Sequence, residues 1–176
     1  MNSAKQKSAE SLLHETAALV DQANVQDFED QEQYLTFVMQ GEEYGIDILN
    51  VQEIRGWGNV APIPNSPKHV SGVINLRGAI VPVIDLRILF GLPDANYDEN
   101  TVVIVLKVAT EKVNRIMGIV VDAVSDVFSL TAADKRPPPN VNQGVSHSYI
   151  DGLTEVKNKM VILLDSERLL YLEKND

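Results

Sequence analysis

Two pairs of charged side chains sit close enough in the sequence to raise the question of chemistry. Asp85 and Arg87 flank Leu86, and Asp122 and Asp126 bracket Ala-Val-Ser. Two carboxylates held together can serve as general acid and base. Four residues apart on a strand they are well separated, so Asp122 and Asp126 read as strand-end carboxylates satisfied by backbone N–H groups. Metal chemistry fares no better: His14, His69 and His147 are scattered, and none has a second ligand at tight spacing on the same element. The chain has no cysteine, which removes disulfides, thiolate nucleophiles and cysteine-based zinc sites. There is no glycine-rich nucleotide loop and no nucleophile elbow. No cofactor is expected, and an enzyme would need clustered titratable groups in a pocket.

The elements that carry these residues are strands. Of 176 residues, 44% are hydrophobic and the formal net charge is −10. Such a chain can bury a real core, but it is a poor match for nucleic acid or an anionic membrane face, which attract basic patches. An oligonucleotide-binding barrel would also want stacking aromatics, and only 6% of residues are aromatic. The first residues lack a signal-peptide pattern, and no apolar run approaches the roughly 18 residues of a membrane span. A cytoplasmic protein without membrane insertion is expected.

Residues 1–33 are acidic and poor in β-branched side chains. Leu12, Leu13, Thr16, Leu19 and Val20 fall on one helical face, but a helix this short is marginal alone, and a flexible extension is expected. From Tyr34 the pattern turns to β: YLTFVMQ alternates, with Leu35, Phe37 and Met39 on one face. A hairpin turn at Gly41-Glu42-Glu43 leads into EYGIDI, and ILNVQEI begins with a helical turn. Pro62, Pro64 and Pro67 mark a loop. Strands follow near 70–76 and 79–86, then a helical turn, LRILFGL. LPDANYDEN (92–100) is polar and is the candidate internal boundary. Beyond it TVVIVLKVA, RIMGIVVDAVSDVFSL, YIDGLTEV and KMVILLD read as strands, RPPPN as a loop and SERLLYLEK as a last helix. About ten short strands at this spacing predict an all-β chain of two small barrels, SH3-like or OB-like.

GVINLRGAIVPVIDLR (72–87) is the least ordinary stretch, because an arginine, a proline and an Asp/Arg pair interrupt what is otherwise core strand. It lies among EEYGIDILNVQEIRG (42–56), IPNSPKHV (63–70), TVVIVL (101–106), MGIVVDAVSDV (117–127), RPPP (136–139) and KMVILLDSERLL (159–170). Together, in this order, these segments resemble the CheW coupling-protein family of bacterial chemotaxis, over about residues 34–172. The resemblance implies two five-stranded barrels packed together, with short helices and a C-terminal helix. It implies a non-catalytic adaptor that joins chemoreceptor cytoplasmic tips to the regulatory domain of the histidine kinase CheA. Such an adaptor is cytoplasmic, is recruited to receptor arrays and is expected as a monomer when free. Service to a parallel, non-flagellar chemosensory pathway is the alternative; a nucleic-acid-binding barrel is the alternative from another class.

Carried onto this sequence, the resemblance implies a receptor-facing surface of Val51, Glu53, Arg77, Val102, Gly118, Val124 and Val127. A receptor tip is a helical hairpin, which docks best in an apolar groove with charged rims. The kinase contact is expected near Gly72 and Gly78, where missing side chains allow close approach, with Arg136 joining a second kinase contact. Each has a plainer reading as well: core valines, turn or bulge glycines, and a surface ion pair of Glu53 with Arg77. Trp57 stands where the family commonly has tyrosine.

Overall fold

The computed structural model describes residues 30–93, 95–112, 114–139 and 145–171. The expectation for the extension before residue 30 lies outside the described residues. Ten strands and two short α-helices form the domain: β1 (Glu32–Met39), β2 (Glu42–Asp47), β3 (Val51–Gly56), β4 (Val70–Leu76), β5 (Ala79–Asp85), α1 (Leu86–Leu89), β6 (Val102–Ala109), β7 (Asn114–Val121), β8 (Ala123–Leu130), β9 (Ile150–Val156), β10 (Lys159–Leu164) and α2 (Ser166–Leu170). They make two five-stranded sheets, ordered β8-β1-β2-β10-β9 and β3-β6-β7-β5-β4. The fold is all-β, as expected. Each sheet draws strands from both sides of residues 92–100, so the halves of the sequence and the sheets do not coincide.

The chain passes between the sheets at two points. One is the 3-10 turn Ile48–Asn50 between β2 and β3, where the Asp47 carboxylate accepts the Leu49 N–H at 2.9 Å. The other is Asp122, the single residue between β7 and β8. MGIVVDAVSDVFSL is therefore two strands broken at an aspartate, which the unbroken apolar pattern concealed. Outside the named strands, Ala61 bridges to Val73 on edge strand β4, and Arg136 bridges to Leu153 on edge strand β9. Chain leaving one edge strand of each sheet thus reaches the opposite edge and covers backbone groups that would otherwise stand open.

Strand alternation sorts the core. On β6, Ile104 and Leu106 point into the large cluster between the sheets, with Phe37, Met39, Ile46, Ile84, Ile119 and Leu169. Val103 and Val105 point the other way, into a cluster of the second sheet with Ile74, Val81, Val83 and Val120. The first sheet has a smaller counterpart made by Tyr34, Leu130, Val161 and Leu163. Each sheet therefore buries apolar side chains on both faces, which explains why the strands read as near-continuous hydrophobic runs.

The hairpin β4–β5 with α1 is repeated by β9–β10 with α2. Gly72 and Gly152 correspond, as do Asp85 and Asp165, each pair eighty positions apart. Both hairpins turn through two residues of positive φ, Arg77 (51°) with Gly78 (88°) and Lys157 (49°) with Asn158 (64°). That geometry matches the right-handed twist of the flanking strands. Asp85 and Asp165 then cap the helices, accepting the backbone N–H of Arg87 and Arg168, each at 3.1 Å. The turn of the first hairpin β1–β2 likewise sits at Gln40-Gly41, one residue earlier than the sequence suggested.

Pro82 lies on an inner strand, since β5 sits between β7 and β4. Pairing with β7 begins only at Val83, opposite Gly118, so the missing N–H of Pro82 falls just before that ladder starts.

Candidate binding site

The residues expected to face a receptor do not gather at one place. Val51, Val102 and Val124 are half-buried, and each packs on the cluster between the sheets. They come from β3, β6 and β8, so both sheets contribute partly buried valines to the rim of that cluster, the seam between the sheets. Ile54 pairs with Ile104, whose side chain lies in that cluster, yet Ile54 itself is exposed. Leu49, in the turn where the chain changes sheets, is 87% exposed. Neither residue stands out in the sequence: Leu49 lies in a turn, and the register shift between Val51 and Glu53 puts Ile54 on the same face as Ile104. Large apolar side chains left uncovered beside half-buried valines are the mark of a contact surface.

Glu53 and Arg77 do meet. Arg77 Nη2 lies 3.5 Å from one Glu53 oxygen, and Arg55 Nε lies 3.7 Å from the other. The Arg77 side chain is 80% exposed, and an exposed pair of this kind contributes about 0.2–1 kcal/mol to stability. The fold has little use for it, while its exposed guanidinium suits bidentate recognition of a carboxylate.

Gly118 does not belong to a surface. It is buried on β7, and a Cβ there would stand 2.8 Å from Val103 Cγ1 and 3.3 Å from Val83 Cγ2. The glycine makes room for two valines of the second sheet's own core. Val127 is exposed, but it lines a separate depression with Thr36, Phe128, Val156, Lys157 and Lys159, at the turn end of the first sheet.

Of the three positions expected at the kinase, Gly72 is also buried. Its φ is 143°, and a Cβ would come within 2.1 Å of the Ala61 carbonyl oxygen. That close approach belongs to the Ala61–Val73 bridge within the chain, so Gly72 offers no space to another protein. Gly78 is exposed at a hairpin tip with nothing within 4 Å of an added Cβ. Arg136 is exposed as well, and its backbone exchanges two hydrogen bonds with Leu153, at 2.8 and 2.9 Å.

The strongest polar arrangement in the domain is one whose members the sequence displayed without their connection. Arg87 is 1% exposed. Its Nε and Nη2 grip the two oxygens of Asp85 at 3.0 and 2.8 Å, a fork-on-carboxylate pair. Its Nη1 donates to Asp122 Oδ1 at 2.8 Å and to the Asn96 carbonyl at 2.6 Å. Tyr97 donates its hydroxyl to Asp85 Oδ2 at 2.6 Å, and its ring stacks on Trp57 with centroids 4.4 Å apart. The other Asp122 oxygen accepts the Gln40 N–H at 2.7 Å, so the expected backbone partner is present alongside an unexpected guanidinium. Burial pushes the Asp85 carboxyl upward, but the hydrogen bonds from Arg87 and Tyr97 and the guanidinium charge outweigh it and hold it below its ordinary value. Burial would lower the Arg87 pKa, yet Asp85 and Asp122 raise it further above its usual value. Burial, then the Asp85 carboxylate, pushes the Tyr97 hydroxyl up. Every group is committed to a structural partner, so the network holds segments together and presents no base or nucleophile.

Among the described residues no group of three or more His, Cys, Asp or Glu side chains could hold a metal ion, and no helix is long and apolar enough to cross a membrane.

Comparison with known proteins places this geometry. Residues 33–174 match the model of the CheW-like domain. The chain is 50% identical over 143 residues to the chemotaxis protein CheW of Klebsiella aerogenes, covering 81% of this chain and 84% of that one. It is 32% identical over 142 residues to the chemotaxis protein CheW of Rhizobium meliloti, covering 81% and 89%. The crystal structure of the scaffolding protein TtCheW from Thermoanaerobacter tengcongensis superposes with a TM-score of 0.70 at 30% identity, over 80% of this chain and 86% of that one. Two five-stranded sheets, an apolar seam between them and a match spanning nearly all of the described domain lead to one conclusion: the chain belongs to the CheW family.

Proposed function

We propose that this chain is a non-catalytic adaptor that couples the cytoplasmic tips of chemoreceptors to the histidine kinase CheA. The observation that carries the reading is the apolar seam of Val51, Val102 and Val124 with exposed Ile54 and Leu49 beside it. A helical hairpin presents an apolar face that fits such a seam, and the Glu53–Arg77 pair supplies a charged partner nearby. Val127, in its separate depression, and buried Gly118 drop out of the direct contact set. For the kinase, the exposed hairpin tip at Gly78 and exposed Arg136 remain candidates, whereas Gly72 supports the fold behind them. Recruitment to membrane-associated arrays follows from binding the receptors.

Co-sedimentation tests the reading. The purified chain is expected to pellet with receptor-containing membranes and to retain CheA there, and Arg77→Glu is expected to weaken receptor coupling while the thermal unfolding midpoint stays close to wild type. Failure to capture either partner at low salt and micromolar concentration would overturn the adaptor role.

A further inference from the structure

We propose that Arg87 is a positioning residue for the apolar seam. Through Asp122 and Tyr97 it fixes where β8 and β3 stand on either side of that seam, and thereby sets the affinity for a helical hairpin laid along it. The affinity clause rests on the adaptor reading; the spacing clause does not.

Asp122 is the only residue between the last strand residue of β7 and the first of β8. Its backbone N–H donates to the Val38 carbonyl of β1 at 3.0 Å, while its carboxylate takes Arg87 on one oxygen and Gln40 on the other. The point where the chain changes sheets is thus held from three directions, and Val124 follows it by two residues. On the other side, Tyr97 stacks on Trp57, which directly follows β3. The Trp57 N–H donates to the Thr101 carbonyl at 3.0 Å, next to Val102. Arg87 joins both sides because Asp85, its bidentate partner, also accepts the Tyr97 hydroxyl.

The repeated unit shows that the arginine is not there to make the hairpin and helix. In the second unit the position of Arg87 is taken by Glu167. Asp165 caps α2 in the same way, and its partner Arg168 has a side chain 58% exposed. The β9–β10–α2 unit forms without any buried ion pair. Burying charges is costly before their mutual attraction is counted, so the first unit carries a feature its own fold does not require. What distinguishes its surroundings is the crossing at Asp122 and the strand end at Trp57. A preformed seam spares the partner the entropy of ordering it, which is how a residue outside the contact raises affinity.

The test exploits the absence of native cysteine. Gln52→Cys on β3 and Ser125→Cys on β8 accept a spin-label pair, and the distance distribution is measured in the full chain carrying wild-type Arg87, Asp122→Asn or Tyr97→Leu. The Asp122 side chain is 34% exposed and Tyr97 is 44% exposed, so these variants disturb the fold less than Arg87→Met, which strands a buried carboxylate. Losing one charge-assisted hydrogen bond is expected to broaden or shift the distribution and to weaken binding to receptor-containing membranes by about tenfold, with binding to CheA within about twofold. A variant that is merely destabilised would lower both affinities together and leave the distance of its folded fraction unchanged, which would overturn the proposal. Unchanged distance and unchanged receptor affinity in both variants would overturn it too. If the wild-type chain binds no receptor, the adaptor reading fails, while the distance measurement still decides the spacing clause.

Discussion

The two hairpin–helix units, β4–β5–α1 and β9–β10–α2, share turn geometry, capping aspartate and a glycine pressed against a carbonyl, yet they differ in what they hold. In the first, Asp85 and Arg87 are buried and tie down the Asn96-Tyr97 loop and the crossing at Asp122. In the second, the capping aspartate and its arginine stay at the surface, where Arg168 also reaches the Ser148 carbonyl at 3.2 Å. The backbone therefore needs only the aspartate cap and the two-residue turn. The ion network is an addition to one copy, made where the sheets exchange strands. Repeats expose such additions, because one copy acts as a control for the other.

Substitutions at matching positions of the two units separate the shared features from the added one. The largest effect is expected at Gly72. Gly72→Val sets a side chain against the Ala61 carbonyl at a φ of 143°, combining backbone strain with overpacking for about 5 kcal/mol. Gly152→Ala is the sharper comparison: its Cβ would meet the Arg136 carbonyl at 2.9 Å without a positive φ, and about 1–2 kcal/mol is expected. Urea unfolding measures both, and equal losses would remove the distinction between the glycines.

Next comes the arginine pair. Arg87→Met leaves Asp85 buried without its partner and is expected to cost about 3 kcal/mol. Arg168→Met breaks an exposed pair and is expected to cost under about 0.5 kcal/mol. Similar midpoints for the two variants would mean that the buried network adds nothing to stability.

The smallest effect is in pH dependence. Because Asp85 is held below its ordinary value in the folded chain, the unfolded chain takes up that proton first as pH falls. The stabilisation is complete above about pH 4, the unperturbed range of an aspartate, and is lost as pH drops through the lower folded value. Asp85→Asn is expected to flatten that part of the stability profile. A profile unchanged by Asp85→Asn would mean that the network carries none of the acid sensitivity.

The strands themselves are legible because short apolar runs, alternating or unbroken, rich in β-branched residues and bounded by turn signals, favour strand over helix. Turn chemistry placed the β4–β5 hairpin at Leu76-Arg77-Gly78. The pairing order was not legible, since β1 with β8 and β2 with β10 are joined by no local signal. The repeat was present in the sequence as Gly-x12-Asp, but only the structure gave those residues a common role. Of the candidate site, Glu53 with Arg77 and the three seam valines are legible only through family resemblance. Gly118 and Gly72 are buried against internal neighbours, and a glycine forced by such a neighbour looks, in sequence, like one left open for a partner. Arg87 was seen but not understood: a buried arginine is recognised by its partners, and Asp122 lies 35 residues away.

The exchange of strands between sheets also has a consequence for synthesis. Thr36 on β1 holds the backbone of Asp126 on β8 through hydrogen bonds that span 90 residues. As the chain emerges, β1 and β2 form a lone hairpin whose flanks wait for β8 and β10, while β3 to β7 can assemble the second sheet first. A lone hairpin is marginal in water, and pairing across such separations is slow. The vulnerable species during production is thus a nascent chain with one finished sheet and one unpaired hairpin, and a holdase that shields the β1 edge would act at that stage.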